Sequence, residues 1–183
     1  MSLFLASSSP TRAKILKDRG VEFTQVGCGF DEESVVARTP VDFVYKATMG
    51  KFEWSKNNYG LDTPIICADT VVTANGEILR KAKDKEDARR ILEAQSGNKV
   101  SILTCMIYKS STCELIDLSS TDYLFSPFDE ASLEAYLQGD EWRGKAGACM
   151  VEGFCKSYIK EVVGLESTAM GLSVEKLLPF LQR

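Results

Sequence analysis

The sequence predicts a mixed α/β protein built on a mixed β-sheet. Strand-sized apolar runs alternate along the chain with segments of helical periodicity. Gly, Pro and Asn-Gly signals separate those segments, so no long stretch lacks structure and residues 1–183 are read as one domain. Its 183 residues, 44% of them apolar, suffice for one core or for one elongated domain with two lobes.

The elements follow in order. "LFLAS" is a short apolar strand. Ser9-Pro10 places a capping residue before a proline at the first helical position, opening a helix through "TRAKILKDRG" that stops at Gly20. Residues 21–26 read as a strand, and "GCGFDEESV" as a loop carrying adjacent acids. A second helix is expected from about Pro40 to Asn57, with Phe43, Val44, Ala47, Met49 and Phe52 recurring at near-helical spacing.

"IICADTVV" is a buried strand, and Asn75-Gly76 predicts a tight hairpin into a short return strand. "DKEDARRILEAQSG" has an acidic start, one apolar face and a glycine stop, the marks of a helix. "KVSILTCMIY" and "CELIDLSSTDYLF" are strands, and Asp129 caps a helix through "EASLEAYLQG". "GKAGACMVEGFCKSYIKEV" reads as glycine-punctuated strand and loop, and "LSVEKLLPFLQR" as a closing helix with Pro179 inside it.

Composition narrows the chemistry. No apolar run reaches membrane-spanning length, and "MSLFLASSS" lacks the basic region and apolar length of a signal peptide. A soluble cytoplasmic protein with no membrane partner is therefore expected. The net charge of −4 and the lack of a basic stripe interleaved with aromatics give nucleic-acid binding no support. The six cysteines are scattered without a C-x-x-C pair, which predicts reduced core thiols. Histidine is absent, which excludes a Ser-His-Asp triad, a Cys-His dyad and histidine-ligated metals. Acid–base chemistry must then use Asp, Glu, Lys, Tyr or Cys, and a metal would most simply be a hard ion on carboxylates and water. Neither a P-loop nor a dinucleotide-binding glycine motif is present.

Three clusters could carry function. In "LASSSPTR" a strand delivers serines to a helix N-terminus with Arg12 in its first turn, so amides, hydroxyls and a guanidinium converge as a phosphate requires. The same residues also suit an ordinary capped helix. Asp31, Glu32 and Glu33 could hold Mg²⁺ once a polyphosphate completes its shell, or they form a solvated acidic run. Asp69 puts a carboxylate into an otherwise apolar strand, where it needs a cation or donors. Lys51 and Lys81 are the candidates, the second brought back by the hairpin; a purely structural Asp–Lys pair is the other reading.

Together "LASSSPTR", "DEE", "ADTVV", "GEILRKAKD", "SGNKV" and "GKAGACMVEG" resemble the Maf family of nucleotide pyrophosphatases, once called septum-formation inhibitors. The resemblance spans nearly the whole chain. It implies an elongated mixed sheet flanked by helices, with two lobes and a central cleft, like inosine triphosphate pyrophosphatases. It also implies hydrolysis of a nucleoside triphosphate between the α and β phosphates, dependent on Mg²⁺ or another divalent cation such as Mn²⁺. Such an enzyme limits non-standard or excess nucleotides. The family positions matching Ser7, Arg12, Glu32, Lys51, Asp69 and Lys81 line the cleft. Asp69 would be the proton acceptor or a metal ligand. Ser7, Arg12, Lys51 and Lys81 would hold phosphates, and Glu32 the metal. One departure is Ala82, where the family usually has proline after the lysine. The late "VVGLP" motif is matched by "VVGLES" at Val162 or "AMGLS" at Ala169, and no role is carried from it.

Substrate choice divides the resemblance. The dTTP- and UTP-preferring branch usually has a basic residue at Thr11, threonine at Thr70 and glutamine at Glu152. The branch hydrolysing 7-methyl-GTP resembles the chain at Glu152, but usually has an aromatic at Thr11 and a different residue at Thr70. A carboxylate can only accept, which suits a guanine edge, while Thr70 points the other way; the base stays open. A homodimer is a family expectation. The rival reading is a non-catalytic, nucleotide-responsive binding protein acting in cell division or septum formation.

Overall fold

The computed structural model describes residues 3–149, 151 and 153–181. Its strands are β1 (Leu3–Ala6), β2 (Phe23–Val26), β3 (Ile65–Ala74), β4 (Glu77–Leu79), β5 (Lys99–Lys109), β6 (Glu114–Phe125) and β7 (Ile159–Val163). Its helices are α1 (Pro10–Asp18), α2 (Pro40–Tyr59), α3 (Lys85–Gln95), α4 (Glu130–Gln138), α5 (Glu166–Ala169) and α6 (Val174–Leu181). The seven strands form one sheet in the order β2-β1-β3-β5-β6-β7, with β4 paired to β3. β1 is parallel to β2 and to β3, whereas β4 on β3 and β7 on β6 are antiparallel. The sheet is mixed, as the alternation of elements predicts.

Local chemistry sets the boundaries. Ser9, Thr39, Asp84 and Asp129 each accept a hydrogen bond from a backbone amide in the first turn of α1, α2, α3 and α4. Asn75 and Gly76 both take positive φ, 53° and 80°, the backbone of a type I′ hairpin turn. α2 runs to Tyr59, beyond the expected end at Asn57, because the stop is Gly60, which at φ 72° donates its amide to the Lys56 carbonyl. Two features depart from expectation. Glu166–Ala169 forms a one-turn helix, and Cys149 and Cys155 are joined by a disulfide with Cα atoms 6.5 Å apart, correcting the reading of every cysteine as a free thiol.

The chain divides into two compact units. The first takes residues up to Thr70, Leu103–Ser120 and the chain from Leu165; the second takes Val71–Ile102 and Thr121–Gly164. The first has an aliphatic core in which Leu5 and Ile66 from the sheet meet Leu16 of α1 and Leu172 and Leu177 near α6. Full burial of such side chains contributes roughly 1.5–3 kcal/mol each before entropy is counted. The second unit adds an aromatic cluster, with Phe128, Phe154 and Tyr158 in mutual contact and Tyr136 stacked on Phe154. Among the described residues no helix is long and apolar enough to cross a membrane.

Candidate active site

The site grows out of the end of β1, in the first unit. The strand stops at Ala6, and Ser7, Ser8 and Ser9 lead into α1. These residues line a cavity of about 330 Å³ together with Arg12, Cys28, Phe30, Glu32, Lys51 and Asp69. Ser9 caps α1, and its amide donates to Ser7 Oγ at 3.3 Å. Gln25 of β2 donates to the Ser7 carbonyl at 2.6 Å, fixing the turn from the parallel neighbour strand.

Arg12 lies in the first turn of α1, and its guanidinium is held on three sides. Nε donates to the Gly171 carbonyl at 2.7 Å, Nη1 to Ser7 Oγ at 3.0 Å and Nη2 to Thr70 Oγ1 at 3.0 Å. Those three bonds leave two of the five N–H groups of a guanidinium for a ligand. Burial pushes the Arg12 pKa down, and the negative charges of Asp69 and Glu32 oppose that shift. Both bonds at Ser7 Oγ use it as an acceptor, so the hydroxyl proton is uncommitted by them.

Asp69 sits in β3 with its side chain 7% exposed, and Lys51, on the buried face of α2, reaches it with Nζ 2.6 Å from Oδ1. The same ammonium lies 2.5 Å from Glu32 Oε1, on the capped turn at residues 32–34. One lysine therefore bridges a buried carboxylate and a half-exposed one. Among the described residues Asp69 Oδ2 is buried without a hydrogen-bond partner. Burial holds the Asp69 pKa above the ordinary carboxylate range even though Lys51 pulls it down by charge and by hydrogen bond. Glu32 raises it further, and Arg12 lowers it. A carboxylate with one oxygen on an ammonium and the other uncommitted can take a proton or bind a cation.

The loop that brings Glu32 over Lys51 packs against α2 through glycine. The Phe30 ring occupies the space a side chain at Gly50 would fill, and a Cβ at Gly29 would lie 2.9 Å from Trp54 Cζ2. The residues from 28 to 32 are thus placed by two close approaches that only glycine allows.

Three of the remaining expected residues, Lys81, Thr11 and Thr70, are among those described. Lys81 follows β4 in the second unit, where it forms an isolated bridge with Ala146. Thr11 is exposed on α1. Thr70 is half-buried beside Asp69, its hydroxyl shared between Arg12 and Thr104. Glu152 lies outside the described residues. Sequence reasoning missed Gly171, whose carbonyl holds Arg12 from 159 positions away. The segment matching "AMGLS" was in view, but nothing local gives its partner. Phe30 and Cys28 were also missed as cavity walls, although they belong to the same loop as the acids.

The model of the family described as Maf-like protein matches residues 2–183. A protein from a Nitratiruptor species, named nucleoside triphosphate pyrophosphatase, is 61% identical over 94% of this chain and 95% of its own. One of the same name from a strain of Helicobacter pylori is 40% identical over 100% of this chain and 96% of its own. Among solved structures, the Staphylococcus aureus Ham1 protein superposes with a TM-score of 0.50 at 14% identity, covering 69% of this chain and 72% of that one. That likeness is one of fold.

Proposed function

The chain belongs to the Maf-like protein family, and from that premise we propose that it is a nucleoside triphosphate pyrophosphatase. It cuts between the α and β phosphates, giving the nucleoside monophosphate and pyrophosphate. The names of the relatives support the reaction class, and Asp69 is the single observation that carries it to this site. A buried carboxylate with a raised pKa, one uncommitted oxygen and a lysine on the other is suited to accept a proton beside an arginine-lined cavity.

The chemistry follows from the donors. Water attacks the α-phosphorus, its proton passes to Asp69 Oδ2 or, where that oxygen holds the metal instead, to solvent, and the bond from the α-phosphorus to the bridging oxygen breaks with pyrophosphate leaving. The two remaining N–H groups of Arg12 and the Ser7 hydroxyl hold phosphoryl oxygens. Lys51 spreads its charge between the carboxylates and the incoming phosphates, and Lys81 is assigned to the leaving group by the family pattern.

A divalent cation fits this donor set. Asp69 Oδ2 has no hydrogen-bond partner among the described residues, and Glu32 is half-exposed on the same lysine. Among the described residues no group of three or more acidic or cysteine side chains converges, so phosphates and water would complete the shell, the usual situation for Mg²⁺. When bound, Mg²⁺ would neutralise phosphate charge and lower the pKa of a coordinated water.

The test is a panel of dTTP, UTP, CTP and 7-methyl-GTP with Mg²⁺, read for pyrophosphate separately from orthophosphate. Release of pyrophosphate from at least one member is expected, and the preferred member assigns the base that Thr11, Thr70 and Glu152 are proposed to read. Orthophosphate as the first product would place the cut at the γ position and overturn the reading. No turnover, with binding alone, would favour the non-catalytic alternative. Cytoplasmic location and a homodimer stay part of the proposal, the second checked by sedimentation.

A further inference from the structure

The Arg12 guanidinium also touches residues that hold no phosphate, among them Thr70, a candidate reader of the base. Thr70 Oγ1, which accepts from Arg12 Nη2, lies 2.9 Å from Thr104 Oγ1, and Thr104 Oγ1 lies 2.7 Å from the Thr168 carbonyl. The direction of every proton in this chain is determined. A guanidinium can only donate and a carbonyl can only accept. The single Thr104 proton therefore goes to Thr168, Thr70 must donate to Thr104, and the Thr70 lone pairs turn towards Arg12. Thr104 is fully buried in β5, so water does not compete at its hydroxyl.

The far end of the relay returns to the same arginine. The Thr168 carbonyl also accepts from the Gly171 amide at 3.0 Å, and the Gly171 carbonyl is the acceptor for Arg12 Nε. Thr168 Oγ1 and Ser173 Oγ lie 2.9 Å apart, which ties α5 to the turn before α6. Gly171 adopts φ +100°, and a Cβ there would stand 3.2 Å from Thr70 Oγ1 and 3.3 Å from Arg12 Nε. Both the conformation and the space require glycine.

We propose that Thr104 is a positioning residue: acting through Thr70 and the Thr168–Gly171 turn, it polarises and fixes the Arg12 guanidinium so that its two remaining N–H groups face the phosphates. The proposal rests on the pyrophosphatase reading for its consequence, and on the hydrogen-bond geometry for its existence. Preorganised donors matter most where charge develops in the transition state, so slack in Arg12 should appear in catalysis more than in folding.

Two readouts keep the relay and the reading apart. The first is the Arg12 Nε–H resonance in a proton–nitrogen NMR spectrum of the nucleotide-free protein. It should be shifted and protected from exchange in the wild type and in Thr104→Ser, and averaged in Thr104→Val. The second is pyrophosphate release. Thr104→Val should lower kcat/KM about tenfold while Thr104→Ser stays within about twofold, since serine keeps the hydroxyl. In an Arg12→Lys background the valine change should add less than about twofold, because lysine has no Nη2 to hold. If Thr104→Val does not fold, Thr70→Val, at a half-buried position, replaces it with the same expectations. An Arg12 signal unchanged by loss of the hydroxyl overturns the proposal, as does an equal loss in both backgrounds. A wild-type protein that releases no pyrophosphate defeats the functional reading, and the NMR signal then still decides the relay.

Discussion

The two compact units differ in where their buried polar groups stand. In the first, Asp69, Lys51, Ser7 and Arg12 are gathered at one cavity, and among the described residues an Asp69 oxygen is left unpartnered. In the second, Gln95 is 2% exposed, and its amide donates to the carbonyls of Ile91 at 3.0 Å and Gly147 at 2.7 Å. The Tyr136 hydroxyl donates to the Ala148 carbonyl at 3.0 Å, inside the aromatic cluster. Trp142 Nε1 departs from this, buried without a hydrogen-bond partner among the described residues. An unmet buried carboxylate oxygen costs stability, whereas a satisfied amide preserves it. In the first unit the unmet oxygen faces a cavity that a ligand could fill, whereas Gln95 and Tyr136 of the second hold their own backbone.

Asp69→Asn should break that contrast most visibly. Asparagine keeps the shape and loses the proton acceptor, so pyrophosphate release should fall about 10³-fold, within the range for removing a general base. The empty protein should unfold at the same or a higher temperature, because burial opposes the charge on Asp69 more than Lys51 supports it. A variant that keeps wild-type turnover, or that loses both activity and stability, would show Asp69 to be a structural ion-pair partner.

The matching change in the second unit is Gln95→Leu. It should leave the Gly147 carbonyl unpaired and cost roughly 1–3 kcal/mol in urea unfolding. The folded enzyme should keep its kcat within about twofold, since the bonds lost join the Gln95 side chain to backbone carbonyls of that unit. A large fall in kcat with unchanged stability would erase the division of labour between the units.

How much of this was legible in the sequence follows the range of the interactions. The caps at Ser9, Thr39, Asp84 and Asp129, and the Asn75-Gly76 turn, are local chemistry, which is where sequence signals are strongest. Asp69 stood out because a charge inside an apolar strand violates the local pattern, and Lys51 was named as a partner 18 positions away. What escaped is long-range. Nothing near Gly171 signals that its carbonyl meets Arg12, nothing near Gly50 signals Phe30, and no C-x-x-C spacing pairs Cys149 with Cys155. The one-turn helix α5 is too short for periodicity to reveal.

The smallest effect should separate the units by the sign of their pH dependence. Folding raises the Asp69 pKa above its ordinary 3.8, chiefly by burial, so the folded state holds its proton more tightly than the unfolded chain. Stability from this group is present below the unfolded value and is lost as pH rises through the folded one. Glu134 behaves oppositely. Hydrogen bonds from Lys85, and after it from Arg89, pull its pKa below 4.5, so its contribution is present above that value and is lost as pH falls through the folded one. Lys85 and Arg89 lie on α3 and Glu134 on α4, so the pairs join two helices of one unit at an exposed surface that salt should screen. Urea unfolding of the metal-free protein across pH should therefore show the wild type losing ground to Asp69→Asn as pH rises above 3.8. It should lose its advantage over Glu134→Gln as pH drops below 4.5, with the second difference shrinking in high salt. Parallel pH profiles for the two variants would mean that Asp69 is as well partnered as a surface glutamate, and its uncommitted oxygen would no longer mark the site.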